Sequence, residues 1–237
     1  MISGDKNYNG VIDELVNGSW ISQTDNKQYG IPIKNIEIRK TLDGRECDLI
    51  EGLHSNQKLL VVSDPFTHKA MGSRIFKNLK AKINVDEFIW EQPSSSIEGV
   101  QFLRTKLKDY DGMIAVGSGT VSDSIKYATF LEDKVYSVFA TTPMNAYTTG
   151  TASISFDGIK KSLVAHYAQG VFFDLEVLSN CPKRLTAAAF ADVICRTTAQ
   201  VDWLMSHKLL NTDYKTTPYE LLALYEMDMI NNASDIA

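Results

Sequence analysis

From Lys58 onward the chain alternates short apolar runs with longer segments of helical spacing, and this rhythm constrains the fold more than any other feature. "KLLVVSD" is a near-continuous apolar run closed by Asp64-Pro65, as expected of a parallel strand buried on both faces, and "THKAMGSRIFKNLK" follows with helical spacing. "KINVDEFIWEQ" then reads as a strand, "IEGVQFLRTKLKDY" as an amphipathic helix, "GMIAVG" as a strand, "VSDSIKYATFLE" as a helix and "VYSVFATT" as a strand. Strands alternating with helices of this length predict βαβ units and an α/β fold with a doubly wound, Rossmann-like parallel sheet. Such a sheet holds its ligands beyond the carboxyl ends of its strands. Upstream, to roughly residue 45, the chain reads as polar and irregular apart from "IPIKNIEIRK", whose period of two suggests a strand.

Downstream, "TASISFDGIKKSLVAH" carries two alternating runs around Phe156-Asp157-Gly158, a hairpin signal, and "GVFFDLEVL" reads as a further strand. After Cys181-Pro182 the texture becomes helical. "KRLTAAAFADVICRTTAQVDWLMSHKLL" is expected as one long helix and "PYELLALYEMDMI" as another, opened by Pro218. The boundary falls near residue 181, giving a nucleotide-binding α/β domain over 1–180 and the start of an all-helical domain over 181–237. The long helix reads as buried, although it carries Asp192, Arg196 and Asp202 among alanines and branched aliphatics. A helical piece of about 55 residues is near the lower limit for a core of its own, so it should lean on the sheet or on a second copy. An apolar face on Leu204, Leu221 or Leu222 is expected, either exposed or covered in a homodimer.

With 237 residues, 44% apolar and 22% charged, the chain has the make-up of one sizeable globular domain with an appendage. A net charge of −5 without a basic stripe argues against a nucleic-acid surface, while leaving room for small anions that need only a local positive site. Cys47, Cys181 and Cys195 are scattered and lack CxxC spacing, so neither a disulfide framework nor a thiolate zinc site is expected. The opening "MISGDKNYNG" has no apolar leader core, and no stretch approaches the roughly 20 apolar residues of a membrane span. A cytoplasmic protein with no membrane span is the expectation.

"AVGSGTVSDSIKY" sets Gly117, Ser118, Gly119 and Thr120 between a buried strand and a helix N-terminus. Glycines let the backbone approach a pyrophosphate, and unpaired N–H groups with the helix dipole attract its charge. A tight turn with Ser or Thr as N-cap accounts for the same residues without a ligand. Asp123, in the first helical turn, serves equally as dipole compensation or as a polar contact to a cofactor. Asp64, at the end of its strand, suits ribose hydroxyls or an ordinary Asp-Pro turn. Thr141, Thr142 and Asn145 in "ATTPMNAYTTG" follow another strand and so lie on the same sheet edge, where three polar loops together predict a cleft.

The ordered stretches "VGSGTVSDSIKYATF", "ATTPMNAYTTGTASI", "GIKKSL", "GVFFDLEVL" and "AAAFADVICRTTAQVDWLMSHKLL" resemble the glycerol-1-phosphate dehydrogenase branch of the iron-containing alcohol dehydrogenase and dehydroquinate synthase-like superfamily, over roughly residues 30 to 225. The resemblance implies a Rossmann-like NAD or NADP domain followed by a helical domain, with a divalent metal (Zn, Ni or Fe) and a small phosphorylated polyol between them. Members of the branch interconvert dihydroxyacetone phosphate and sn-glycerol 1-phosphate. Position by position, Gly119, Thr120, Val121, Ser122 and Asp123 match the pyrophosphate loop, with Gly117 and Ser118 leading into it. Thr141 and Thr142 match a second nucleotide loop, although "TTPMN" is one residue shorter than the family's stretch, and Thr149 matches a further nucleotide contact. Asn145 matches a substrate contact that is often Asp, and Asp192 the carboxylate that binds both metal and substrate.

Relatives take two histidine ligands from a later helical region, whereas this sequence stops at Ala237. His207 lies fifteen residues beyond Asp192 on one expected helix, about 22 Å along its axis, too far for both to sit about 2 Å from one ion. His54, His68 and His166 have no ligand spacing to Asp192. Without a metal, Asp192 reads as an i,i+4 partner of Arg196. Lys160 and Lys161 on the hairpin read either as a solvated arm or as charge for a phosphate. Three expectations therefore stand. The chain is an NAD(P)-dependent, metal-assisted oxidoreductase of glycerol 1-phosphate type, or a shortened non-catalytic chain that keeps a nucleotide-binding fold, or an enzyme of another superfamily reaction such as oxidation of a different polyol or a dehydroquinate synthase-like elimination.

Overall fold

The computed structural model describes residues 10–223 and 225–236, so the N-terminal reading of residues 1–9 lies outside it. Its first elements are a short helix, α1 (Val11–Val16), and a small antiparallel pair, β1 (Trp20–Ile21) and β2 (Gln28–Tyr29), where the sequence suggested irregular chain. The pair is tied down from far away: the Glu220 carboxylate accepts from Ser22 Oγ at 3.1 Å, Gln23 N at 3.0 Å and Thr24 N at 2.7 Å. Local periodicity carries no trace of such a partner.

There follow β3 (Asn35–Arg39), α2 (Glu46–Glu51), β4 (Leu59–Ser63), the one-turn α3 (Pro65–Thr67), a π-helical turn over His68–Gly72, α4 (Ser73–Lys80), β5 (Val85–Ile89), α5 (Ile97–Leu107), β6 (Gly112–Gly117), α6 (Gly119–Leu131) and β7 (Val135–Ala140). The hairpin β8 (Thr151–Phe156) and β9 (Ile159–Val164), then β10 (Gly170–Asp174) and α7 (Leu175–Ser179), complete this part. Six strands form one sheet in the order β3-β10-β7-β6-β4-β5, every neighbouring pair parallel. β4 shows why it holds: Leu60 and Val62 enter the core on one face with Met113 and Ile125, while Leu59 and Val61 enter the other with Ile75 and Ile114. Each such fully buried side chain contributes about 1.5–3 kcal/mol relative to exposure.

The order of connections sets the site. The chain passes from β4 outward to the edge strand β5, returns past β4 to β6, and continues in the opposite direction to β7. The loops after β4 and β6 therefore part from each other, opening a crevice at the carboxyl ends of these neighbours. The predicted hairpin turn is present, with Asp157 and Gly158 at φ 50° and 80°, as a tight Asp-Gly turn requires.

Beyond the sheet, α8 (Lys183–Leu210) is the expected single helix, and it ends on left-handed Asn211. The second expected helix is split into α9 (Thr217–Ala223) and α10 (Glu226–Asn231), with α11 (Ala233–Ile236) after them. The expectation that α8 is buried fails: no residue of it is buried, and Ile194, Val201, Leu204, Met205, Leu209 and Leu210 are exposed. Apolar composition states what a helix is able to bury, and the C-terminal turns of α8 meet chiefly the segment that follows, through Thr212, Asp213 and Tyr214, and α10. Leu204 is on the exposed face, while Leu221 and Leu222 are half-buried. Among the described residues no helix is long and apolar enough to cross a membrane.

Candidate functional site

The glycine loop joins β6 directly to α6. Ser118 is the N-cap residue in extended conformation, but its side chain makes no cap hydrogen bond, so the turn reading's capping role is not filled. The first N–H groups of α6 are left for an external acceptor. Gly117 is required by packing: a Cβ there would lie 2.8 Å from Val121 Cβ.

Across the crevice, Asp64 Oδ1 accepts from Phe66 N at 2.8 Å and Thr67 N at 3.0 Å, while Thr67 Oγ1 accepts from Asp64 N at 3.0 Å. This capping box fixes the carboxylate. Asp64 is 8% exposed, and no donor reaches its Oδ2 among the described residues. The Asp-Pro turn is thus real, and it leaves one oxygen for the crevice.

The third loop is tied to the first. Tyr147 Oη donates to Gly117 O at 2.9 Å and accepts from Thr142 Oγ1 at 2.9 Å, with burial holding the phenol far above its usual range. Thr141 N donates to Gly117 O at 3.3 Å, and Thr141 Oγ1 is buried without a partner among the described residues. Lys126, fully buried on α6, donates from Nζ to Ala146 O at 2.6 Å, Thr151 O at 2.9 Å, Thr149 Oγ1 at 3.3 Å and Asp123 Oδ1 at 3.4 Å. Asp123 Oδ2 accepts from Ser153 N at 3.2 Å. Burial pushes the Asp123 carboxyl up, against the pull of the Lys126 ammonium, and pushes the lysine down. Sequence reading weighed Asp123 and passed over Lys126, whose only local signal is the i,i+3 acid-to-base spacing.

These loops border two adjoining cavities. The first, of about 590 Å³, is lined by Asp64, Phe66, Glu91, Ser118, Thr120, Thr141 and Arg184, among others. The second, of about 450 Å³, is lined by Gly119, Thr120, Asp123, Lys160 and Asp192 and shares Ser118, Thr120 and Leu185 with the first. The cleft so formed runs from the end of β4 past the glycine loop to α8. Gly117, Val121, Ser122, Thr142 and Thr149 line neither cavity: Val121 and Ser122 are packed within α6, and the other three belong to the bonding network beneath the loops. Lys160 borders the second cavity, and Lys161 Nζ lies 5.4 Å from the Phe156 ring centroid.

Asp192 does not pair with Arg196. Its Oδ2 accepts from Asn145 Nδ2 at 2.5 Å, a contact across 47 positions of sequence that joins the third loop to α8. His207 is far along the unbroken helix, its Nδ1 bonded to Thr212 O at 2.6 Å. Among the described residues no three His, Cys, Asp or Glu side chains gather as ligands, so these residues do not make a metal site. They do suit a nucleotide: the uncapped N–H groups of α6, the orphaned Thr141 hydroxyl and Asp64 Oδ2 are polar groups in want of a partner along one cleft.

Fold and crevice together define a Rossmann-like parallel-sheet protein with a polar cleft at its switch point. The chain belongs to the iron-containing alcohol dehydrogenase family, whose description matches residues 37–182. It is 28% identical to glycerol-1-phosphate dehydrogenase (NAD(P)+) of Geobacillus thermodenitrificans, over 76% of this chain and 47% of the relative. It is 31% identical to the enzyme of the same name from Pyrococcus horikoshii, over 74% and 51%. The chain thus spans about half the length of the curated relatives it matches. Among solved structures, glycerol dehydrogenase from Schizosaccharomyces pombe superimposes with TM-score 0.62 at 18% identity, over 69% of this chain and 42% of that one. The iron-containing alcohol dehydrogenase from Thermotoga maritima does so with TM-score 0.59 at 17% identity, over 69% and 52%. At these identities the likeness speaks for the fold.

Proposed function

We propose that the cleft binds NAD(H) or NADP(H), and that the protein serves an oxidoreductase reaction on a small phosphorylated polyol, glycerol 1-phosphate being the substrate in its relatives' name and dihydroxyacetone phosphate the ketone that its oxidation would give. The observation that carries this reading is the convergence of Asp64, the uncapped N-terminus of α6 and the orphaned Thr141 hydroxyl on one cavity. In this reading the pyrophosphate lies on the Gly119–Asp123 turn, which supplies N–H groups and the positive end of a 13-residue helix. A bound nicotinamide supplies or accepts the hydride. The second cavity takes the polyol, with Asp192 and Lys160 on its wall and Asn145, which lines neither cavity, holding the Asp192 carboxylate. Lys126 touches neither ligand and holds the Ala146–Thr151 segment, so it is a positioning residue.

A second reading, nucleotide binding without turnover by this chain alone, is favoured by one observation: Asp192 is joined by no further ligand among the described residues. One experiment separates the two. The chain is mixed with NADH, dihydroxyacetone phosphate and Zn²⁺ or Ni²⁺, and the nicotinamide absorbance is followed beside a metal analysis of the recovered protein. Loss of absorbance with stoichiometric metal supports the first reading. No loss and no metal, with nucleotide still bound, supports the second.

A further inference from the structure

We infer that α5 and the aromatic groove beside it form a face that binds a second copy of this chain, the two α5 helices running antiparallel about a two-fold axis at Phe102. The inference is independent of what the cleft binds. Where β5, the last strand of the sheet, meets α5, an open groove of about 530 Å³ is lined by Phe88, Trp90, Gly99 and Phe102, among others. The Phe102 ring lies 5.8 Å from Phe88 and 6.3 Å from Trp90 by centroid, yet Phe102 is 41% exposed. Aromatic rings that continue from the core out to the surface are the anchors around which protein interfaces form.

The charges that flank this face decide what it meets. Glu98, Phe102 and Lys106 stand at i, i+4 and i+8, so they share one side of α5, and all three are exposed. The acid and the base lie in opposite directions from Phe102, each about 6 Å along the helix axis. Neither pairs with an opposite charge among the described residues. The ion pair of α5 is Arg104 with Glu132, on another side of the helix, and the Lys106 ammonium lies over the rings of Phe88 and Phe102 at 5.1 and 5.3 Å. A two-fold axis at Phe102 sets ring against ring and brings Glu98 of each copy to the partner's Lys106, so both ends are matched at once. A partner with charge of a single sign matches only one end. The contact is made by α5 rather than by addition of a strand to β5, because Lys80 Nζ already occupies Val85 O at 2.6 Å and shields that edge. One helix and a groove rim cover less than the roughly 800 Å² per partner of a standard interface, so the dimer is a weak one.

The test follows the mass of the full chain by sedimentation equilibrium over a wide range of protein concentration, at low salt and at about 1 M salt, where surface pairs are screened. The natural chain is compared with E98K, K106E and the reversed double variant E98K/K106E, and a thermal melt of each checks that it folds. The expected result is a concentration-dependent dimer that weakens at high salt. Each single variant should dimerise at least about tenfold more weakly, because both symmetric pairs turn from attraction to repulsion. The double variant should recover the natural strength, and so should an equal mixture of the two single variants, in which two positive ends meet two negative ones. A natural chain that stays monomeric throughout, a dimer whose strength the single variants leave unchanged, or failure of either rescue would overturn the inference.

Discussion

Asn145 Nδ2 donates to Asp192 Oδ2, and this bond is where the polar loop after β7 takes hold of α8. Since α8 buries no residue of its own, its attachment there depends on few contacts. N145A is expected to raise amide exchange over the turns around Asp192 by roughly fivefold, with the sheet's exchange unchanged. Hydrogen exchange with mass spectrometry reads both regions in one run; equal protection around Asp192 in both proteins would show that the bond does not anchor the helix.

The buried lysine offers a sharper stability test. K126M removes four acceptor contacts and leaves the Asp123 carboxylate buried without its cation, a change that costs about 3–5 kcal/mol. Adding D123N should recover part of that loss, because the orphaned charge goes with it. Urea midpoints of the single and double variants check this, and a single variant within about 1 kcal/mol of the natural chain, at most a third of that cost, would contradict it.

Much of this was legible beforehand, for reasons that differ by element. β4, β6 and β7 read correctly because strands buried on both faces must be apolar throughout, and Asp157-Gly158 because few dipeptides take two successive positive φ angles. α1, β1 and β2 escaped notice because they are short and because the turn joining β1 to β2 is held by Glu220, nearly 200 positions away. Lys126 escaped because a buried lysine and a solvated one look alike in a helical pattern. Arg196 at i+4 is the partner that local spacing suggests for Asp192, and only the folded chain brings Asn145.

Two histidines, the buried His54 and the half-buried His166, set a dependence on pH. His54 lies between Gln57 Oε1 at 2.8 Å and Ser137 Oγ at 2.7 Å, and burial holds both it and His166 below the ordinary value of 6.5. Each is neutral in the folded chain and takes up a proton first when unfolded. Their contribution is therefore present above pH 6.5 and lost as the pH falls from there through the lowered folded values. Urea midpoints measured across this window should be flat above it and decline within it; a rise on acidification would contradict the assignment.

The two loop glycines should differ. G117A forces a Cβ to 2.8 Å from the branched Val121 side chain and is expected to cost about 1–3 kcal/mol. At Gly119 the new Cβ meets Met144 Cε at 3.1 Å, the end of a flexible chain, so G119A should cost less than about 1 kcal/mol. Thermal melts of the two variants give the order directly, and G119A as the more harmful would refute it.

The central claim is that a dinucleotide lies across the Asp64 turn, the start of α6 and Thr141. Hydrogen exchange of the full chain with and without saturating NADH tests it most directly. The account predicts slower exchange at Phe66 and Thr67, over Gly119–Asp123 and at Thr141, with the far edge at β3 unchanged. Unaltered exchange at the start of α6, at any NADH concentration that the protein tolerates, would contradict it.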